Sequence, residues 1–118
     1  MKIFKQFSFE AAHKLPLVPQ DHKCFNLHGH SFKVKVSVEG SLNEMGWVID
    51  FSELKKICVP YIKELDHSYL NEIEGLENPT SEYIAIWLWN KLSKKLPELS
   101  EIEIMETCNS GCRYSGKS

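Results

Sequence analysis

Arginine is nearly absent from this sequence: Arg113 is the only one, and the remaining basic residues are lysines. Phosphate recognition by several bidentate arginines within one chain is therefore excluded. Excess positive charge is also lacking. The formal net charge is −2, which argues against nucleic acid as a partner. No apolar stretch approaches the ~18 residues that suggest a membrane span. The first residues, Met1-Lys2-Ile3-Phe4-Lys5-Gln6, alternate polar and apolar side chains and lack the continuous apolar core of a secretory signal. Internal repeats, low-complexity tracts and linkers are missing too. The expectation is a cytoplasmic protein whose cysteines, Cys24, Cys58, Cys108 and Cys112, are thiols and not disulfides. Cys108 and Cys112 lack the second cysteine pair that a zinc knuckle needs, so they read as structural.

What the sequence does contain is 118 residues, 42% apolar and 25% charged, an ordinary globular balance that fits one domain over residues 1–118. A domain this small buries a modest share of its surface, so association between copies would add stability.

The two ends of the chain read as strands and the middle as helices. Ile3, Lys5, Phe7, Phe9, Ala11 and His13 share one face of a first strand. In a second, His28, His30, Phe32, Val34, Val36 and Val38 alternate with Gly29, Ser31, Lys33, Lys35, Ser37 and Glu39. Consecutive strands of this kind pair antiparallel, with residues 14–27 as a long connection of the sort that often carries function. Asp50 and Glu53 signal a helix start, followed by Leu54, Ile57, Cys58, Tyr61, Ile62 and Leu65 at helical spacing. Pro60 within that run predicts a kink or an irregular turn. A second helix starts at Thr80 or Ser81, carries Ile84, Trp87, Leu88, Leu92 and Leu96, and stops at Pro97. Trp87 and Trp89 read as packing residues. A third strand over Glu101–Thr107 aligns Ile102, Ile104 and Glu106, and a short fourth follows the turn at Asn109-Ser110-Gly111. The order β-β-α-α-β-β predicts an α+β fold: a four-stranded antiparallel sheet with two helices on one face.

Three histidines fall on the apolar faces of the first two strands. His28-Gly29-His30 puts two imidazoles at i and i+2 on one face, and Gly29 keeps the intervening side clear. A hairpin joining residue 13 to residue 28 brings His13 beside them. Three histidines with no fourth protein ligand describe an open, catalytic zinc site. As core histidines, each would need its own buried partner. His22 sits between Asp21 and Lys23 and reads as part of a solvated turn.

Other groups stand near these histidines in the sequence. Cys24, four residues before His28, is a base or nucleophile if the metal lowers its pKa, or a ligand that would close the site. Asp66-His67 pairs a carboxylate with an imidazole that it can orient. Glu106 points a carboxylate toward the apolar side, where it needs a partner. That partner is either a lysine or a ligand edge with two adjacent N–H donors, as in guanine or a pterin.

The segments Phe9-Glu10-Ala11-Ala12-His13, Cys24 through His30, Val48-Ile49-Asp50-Phe51, Leu65 through Asn71, Asn78-Pro79-Thr80-Ser81-Glu82 and Glu106-Thr107 run in one order over nearly the whole chain. Together they resemble the 6-pyruvoyl-tetrahydropterin synthase family. The Cys-x-x-x-His-Gly-His spacing and the run from Glu106 to Tyr114 resemble its carboxytetrahydropterin-forming branch. The resemblance implies a tunnelling fold, in which sheets of several subunits join into a barrel. Trimers stack into hexamers and the sites lie between subunits. It implies Zn2+ on His13, His28 and His30, catalysis by Cys24, Asp66, His67 and Glu106, and pterin binding by Glu106 and Thr107. The implied reaction takes 7,8-dihydroneopterin triphosphate and water to 6-carboxy-5,6,7,8-tetrahydropterin, acetaldehyde and triphosphate, on the route to 7-deazapurines and queuosine. Ser115, with Lys117 nearby, stands where that family often carries arginine, so its triphosphate contacts are not carried over. Three other readings compete. One is triphosphate elimination without carbon–carbon cleavage. Another is a synthase making 6-hydroxymethyl-dihydropterin, which calls for an acid near Cys24. The last is a non-catalytic zinc or pterin-binding module.

Overall fold

The alternation of the first two strands dictates how they meet. In the computed structural model, which describes residues 1–106 and 109–117, β1 (Lys2–His13) and β2 (His28–Glu39) pair antiparallel along their whole lengths. Residue 13 stands opposite 28, Ala11 opposite His30 and Phe9 opposite Phe32. This register puts the odd residues of β1 and the even residues of β2 on one face, as the alternation predicts. Phe9 and Phe32 stack there with ring centroids 4.8 Å apart.

The same parity continues across the sheet. β2 pairs antiparallel with β4 (Leu99–Met105), setting Val34 opposite Ile104 and Val36 opposite Ile102. β4 pairs antiparallel with β5 (Gly111–Tyr114). A methyl group added at Gly111 would collide with the Ile104 carbonyl, so the turn into β5 admits no side chain there. Between the helices the chain adds a strand that the sequence pattern does not announce. β3 (Ser68–Tyr69) runs parallel to β1 at its edge, giving the order β3-β1-β2-β4-β5. The sheet is therefore five-stranded and mixed, not four-stranded and wholly antiparallel. The four longer strands are the expected ones.

Two helices cover the apolar face. α1 (Phe51–Leu65) is capped by the Asp50 carboxylate, which accepts from the Ser52 N–H, and buries Leu54, Cys58, Ile62 and Leu65. The helix runs unbroken through Pro60, so the irregular turn expected there does not form. Burial pushes the Cys58 thiol up to about 12, so this cysteine is inert packing. α2 (Ser81–Leu92) is capped by the Thr80 hydroxyl, which accepts from the Tyr83 N–H. It ends before Leu96, which is buried from the following turn. Trp87 is buried, with its indole N–H on the Glu74 carbonyl, and Trp89 packs edge-on against Tyr114.

Among the described residues no helix covers the opposite face of the sheet, which is mostly polar. There Glu103 accepts from the Arg113 guanidinium at 2.6 Å and meets Lys35 at 3.6 Å. The Arg113 hydrogen bond, foremost, holds the Glu103 carboxyl below the usual carboxylate range. The only arginine is thus engaged with a carboxylate. Among the described residues, no helix is long and apolar enough to cross a membrane.

Candidate metal centre and surrounding groups

Full pairing of β1 with β2 brings His13, His28 and His30 together at the loop end of the hairpin. Their ring centroids lie 4.5 to 5.2 Å apart. One ligand nitrogen from each falls within 4.8 Å of the others, a spacing that a single ion can draw together. Phe32 meets His13 and His30 edge-on from below, at centroid distances of 5.6 and 5.7 Å.

The hydrogen bonds fix the tautomers. His13 Nδ1 donates to the Pro79 carbonyl and His28 Nδ1 to the Asn26 carbonyl, each at 2.8 Å. A neutral imidazole that donates from Nδ1 has its lone pair on Nε2. Both Nε2 atoms are buried without a hydrogen-bond partner. Buried polar atoms of this kind are rare and demand an explanation. A cation bound by Nε2, with Nδ1 tied to a carbonyl behind it, supplies one. Burial is the largest influence on the His13 imidazole and drives it toward the neutral form. The Pro79 carbonyl opposes this, His28 adds to it, Glu106 opposes it and His30 adds to it. Neutral is the form that ligates. The residues therefore fit a zinc ion.

The side of the sheet on which Gly29 lies is clear, as expected. An added Cβ there would meet only the Ala11 carbonyl at 3.7 Å, an ordinary contact. The glycine lines a shallow groove there with Glu10, His30, Ser31 and His67.

Cys24 lies in a single 3-10 turn, Lys23–Phe25, half-buried. Among the described residues it stands outside the ligand cluster. His22, dismissed as a solvated turn residue, is exposed but holds this turn: its Nδ1 accepts from the Cys24 N–H at 3.0 Å.

Asp66 and His67 do pair. His67 Nδ1 lies 3.0 Å from Asp66 Oδ2. The pairing depends on a left-handed backbone at His67, φ 54°, pinned by its N–H on the Glu10 carbonyl at 2.6 Å. The Glu10 N–H, foremost, and His67 lower the Asp66 carboxyl. The His67 side chain is 79% exposed at the sheet edge.

Glu106 follows β4 directly and is half-buried. Its carboxylate accepts from the Ser81 hydroxyl at 2.7 Å, not from a lysine. The lysine contact goes to Glu103. Thr107 and Cys108 lie outside the described residues. Three supporting groups carried no sign of this role in the sequence: Ser81, the Pro79 carbonyl and Asn71. Asn71 brackets the backbone next to His13, accepting from the Lys14 N–H at 3.0 Å and donating to the Lys14 carbonyl at 2.8 Å. Two of them fall within the Asn78–Glu82 segment, where only the helix cap was legible.

The sequence profile of 6-pyruvoyl tetrahydropterin synthase matches residues 2–117. A Synechocystis protein named 6-carboxy-5,6,7,8-tetrahydropterin synthase is 49% identical over 119 residues, covering 95% of this chain and 91% of the relative. A Pyrococcus furiosus protein named dihydroneopterin monophosphate aldolase is 42% identical over 96 residues, covering 81% of this chain and 78% of the relative. The structure of Caenorhabditis elegans 6-pyruvoyl tetrahydropterin synthase superimposes with a TM-score of 0.90 at 28% identity, over 99% of this chain and 96% of that one. A profile match over nearly every residue, on the fold those relatives share, shows that the chain belongs to the 6-pyruvoyl tetrahydropterin synthase family.

Proposed function

We propose that this protein is a zinc-dependent carbon–carbon lyase of the cytoplasm. It converts 7,8-dihydroneopterin triphosphate and water to 6-carboxy-5,6,7,8-tetrahydropterin, acetaldehyde and triphosphate, in the synthesis of 7-deazapurines leading to queuosine. The observation that carries the reading is the pair of buried, unpartnered Nε2 atoms of His13 and His28 beside His30. The 49% identity to a relative named for making that product supports the choice of reaction.

Each group has a task. His13, His28 and His30 would hold Zn2+, which would supply Lewis-acid polarisation of substrate oxygens when bound. Cys24 removes a proton from the substrate side chain. His67, oriented by Asp66, returns or relays protons. Glu106, with Thr107, holds the ring so that the side chain lies at the metal. The exposure of His67 supports a site completed between subunits, in a trimer-based assembly and by expectation a hexamer.

A second reading is favoured by the similarity to the aldolase. Cleavage of that type leaves a hydroxymethyl group on the pterin in place of a carboxyl. Incubating the zinc-loaded protein with dihydroneopterin triphosphate, and separately with the monophosphate, and identifying products by mass tests all three reactions. Carboxytetrahydropterin with acetaldehyde is the expected pair. A pyruvoyl product without acetaldehyde, a hydroxymethyl product, or no turnover would each refute the proposal.

A further inference from the structure

Glu106 is held at two points. Its N–H donates to the Ser110 carbonyl at 2.9 Å, closing the turn between β4 and β5. Its Oε1 accepts from the Ser81 hydroxyl at 2.7 Å. Ser81 is itself buried and opens α2. Two residues earlier, the Pro79 carbonyl holds His13 Nδ1. Three consecutive residues, 79–81, thus orient a metal ligand on one side and an acid on the other. Ser81 and Glu106 line a small cavity with Ser110, Gly111 and Cys112.

We propose that Ser81 is a positioning residue for Glu106, fixing the plane of its carboxylate so that two adjacent N–H groups of a pterin ring can dock on it. The proposal rests on the reading of Glu106 as the ring anchor. A carboxylate offers about four acceptor positions on its two oxygens. The Ser81 hydroxyl takes one of them and leaves both oxygens able to accept from the ring. Without the hydroxyl, the Glu106 side chain must be ordered each time a ligand binds. Ordering one such side chain weakens binding by up to roughly tenfold.

The test uses full-length, zinc-loaded protein titrated with 7,8-dihydroneopterin, with zinc content measured on the same samples. Ser81→Ala should bind about tenfold more weakly with its zinc unchanged, and Ser81→Thr, which keeps the hydroxyl, should restore affinity. In a Glu106→Ala background, Ser81→Ala should add no further loss, because its target is gone. A purely structural serine would lose the same factor in both backgrounds, and that result overturns the proposal. So does wild-type affinity in Ser81→Ala while Glu106→Gln binds weakly, although the anchor reading then survives. Wild-type affinity in Glu106→Gln would overturn the anchor reading itself.

Discussion

Removing the metal and restoring it should have very different effects on the wild-type protein and on His28→Ala. Among the described residues, no protein group hydrogen-bonds the buried Nε2 atoms of His13 and His28, so without a metal they depend on solvent for a partner. An unmet buried polar atom costs ~1–3 kcal/mol. His28→Ala removes one of them along with some ring packing, so the two metal-free proteins should differ by only about 1 kcal/mol. Zinc changes the comparison. At a free concentration a thousandfold above its dissociation constant, an ion that binds only the folded state stabilises it by ~4 kcal/mol. At the few degrees per kcal/mol typical of this size, the wild-type melting temperature should rise on the order of 15 °C. The variant retains two ligands and should gain little. The assay is thermal unfolding by circular dichroism at fixed protein concentration, after chelation and then with buffered zinc. Magnesium serves as a control, since a nitrogen ligand set suits zinc and not a hard oxygen-seeking cation. Equal zinc shifts in both proteins would remove His28 from the ligand set. No shift in the wild type would refute the metal centre altogether.

Further predictions concern single groups. Cys24→Ala should keep zinc and bind pterin but turn over slowly, since the thiol stands outside the ligand cluster; loss of zinc, by metal analysis, would make Cys24 a ligand instead. Glu106→Gln should weaken pterin binding by ~2–5 kcal/mol with zinc unchanged, since it puts a donor where the ring presents donors; equal affinity by titration would confine Glu106 to its bond with Ser81. The metal-free protein should lose stability as pH falls below about 6.5. Burial, above all, lowers the His13 pKa in the fold, so the unfolded chain binds the extra proton first and acid favours unfolding. Chemical denaturation at a series of pH values, compared with a His13→Phe variant lacking this dependence, checks it.

The sequence and the structure agree where side-chain parity alone decides. Period-two alternation in β1 and β2 placed three histidines on one face, and the antiparallel register brought them together. Parity also aimed Glu106 inward, although β4 ends one residue before it. What parity cannot reach is contact between segments far apart in the chain. The Ser81 hydroxyl meets a carboxylate 25 residues away, and nothing local marks either partner for the other. β3 has two residues, too few for any period, and its pairing depends on where α1 delivers the chain. The Asp66–His67 hydrogen bond needs a left-handed backbone at a residue that rarely adopts one, imposed by the Glu10 carbonyl. The sequence showed two adjacent polar residues but not the torsion that closes them.

The residue-by-residue pairing of Lys2–His13 with His28–Glu39 also bears on how the chain reaches its native state. A hairpin that formed one residue out of step would turn one whole strand over. His28 and His30 would then face solvent on the side away from His13, and no ion could bridge them. Phe32, Val34, Val36 and Val38 would leave the core in the same step, so burial already favours the native alignment, and an ion on the three histidines would add to that preference.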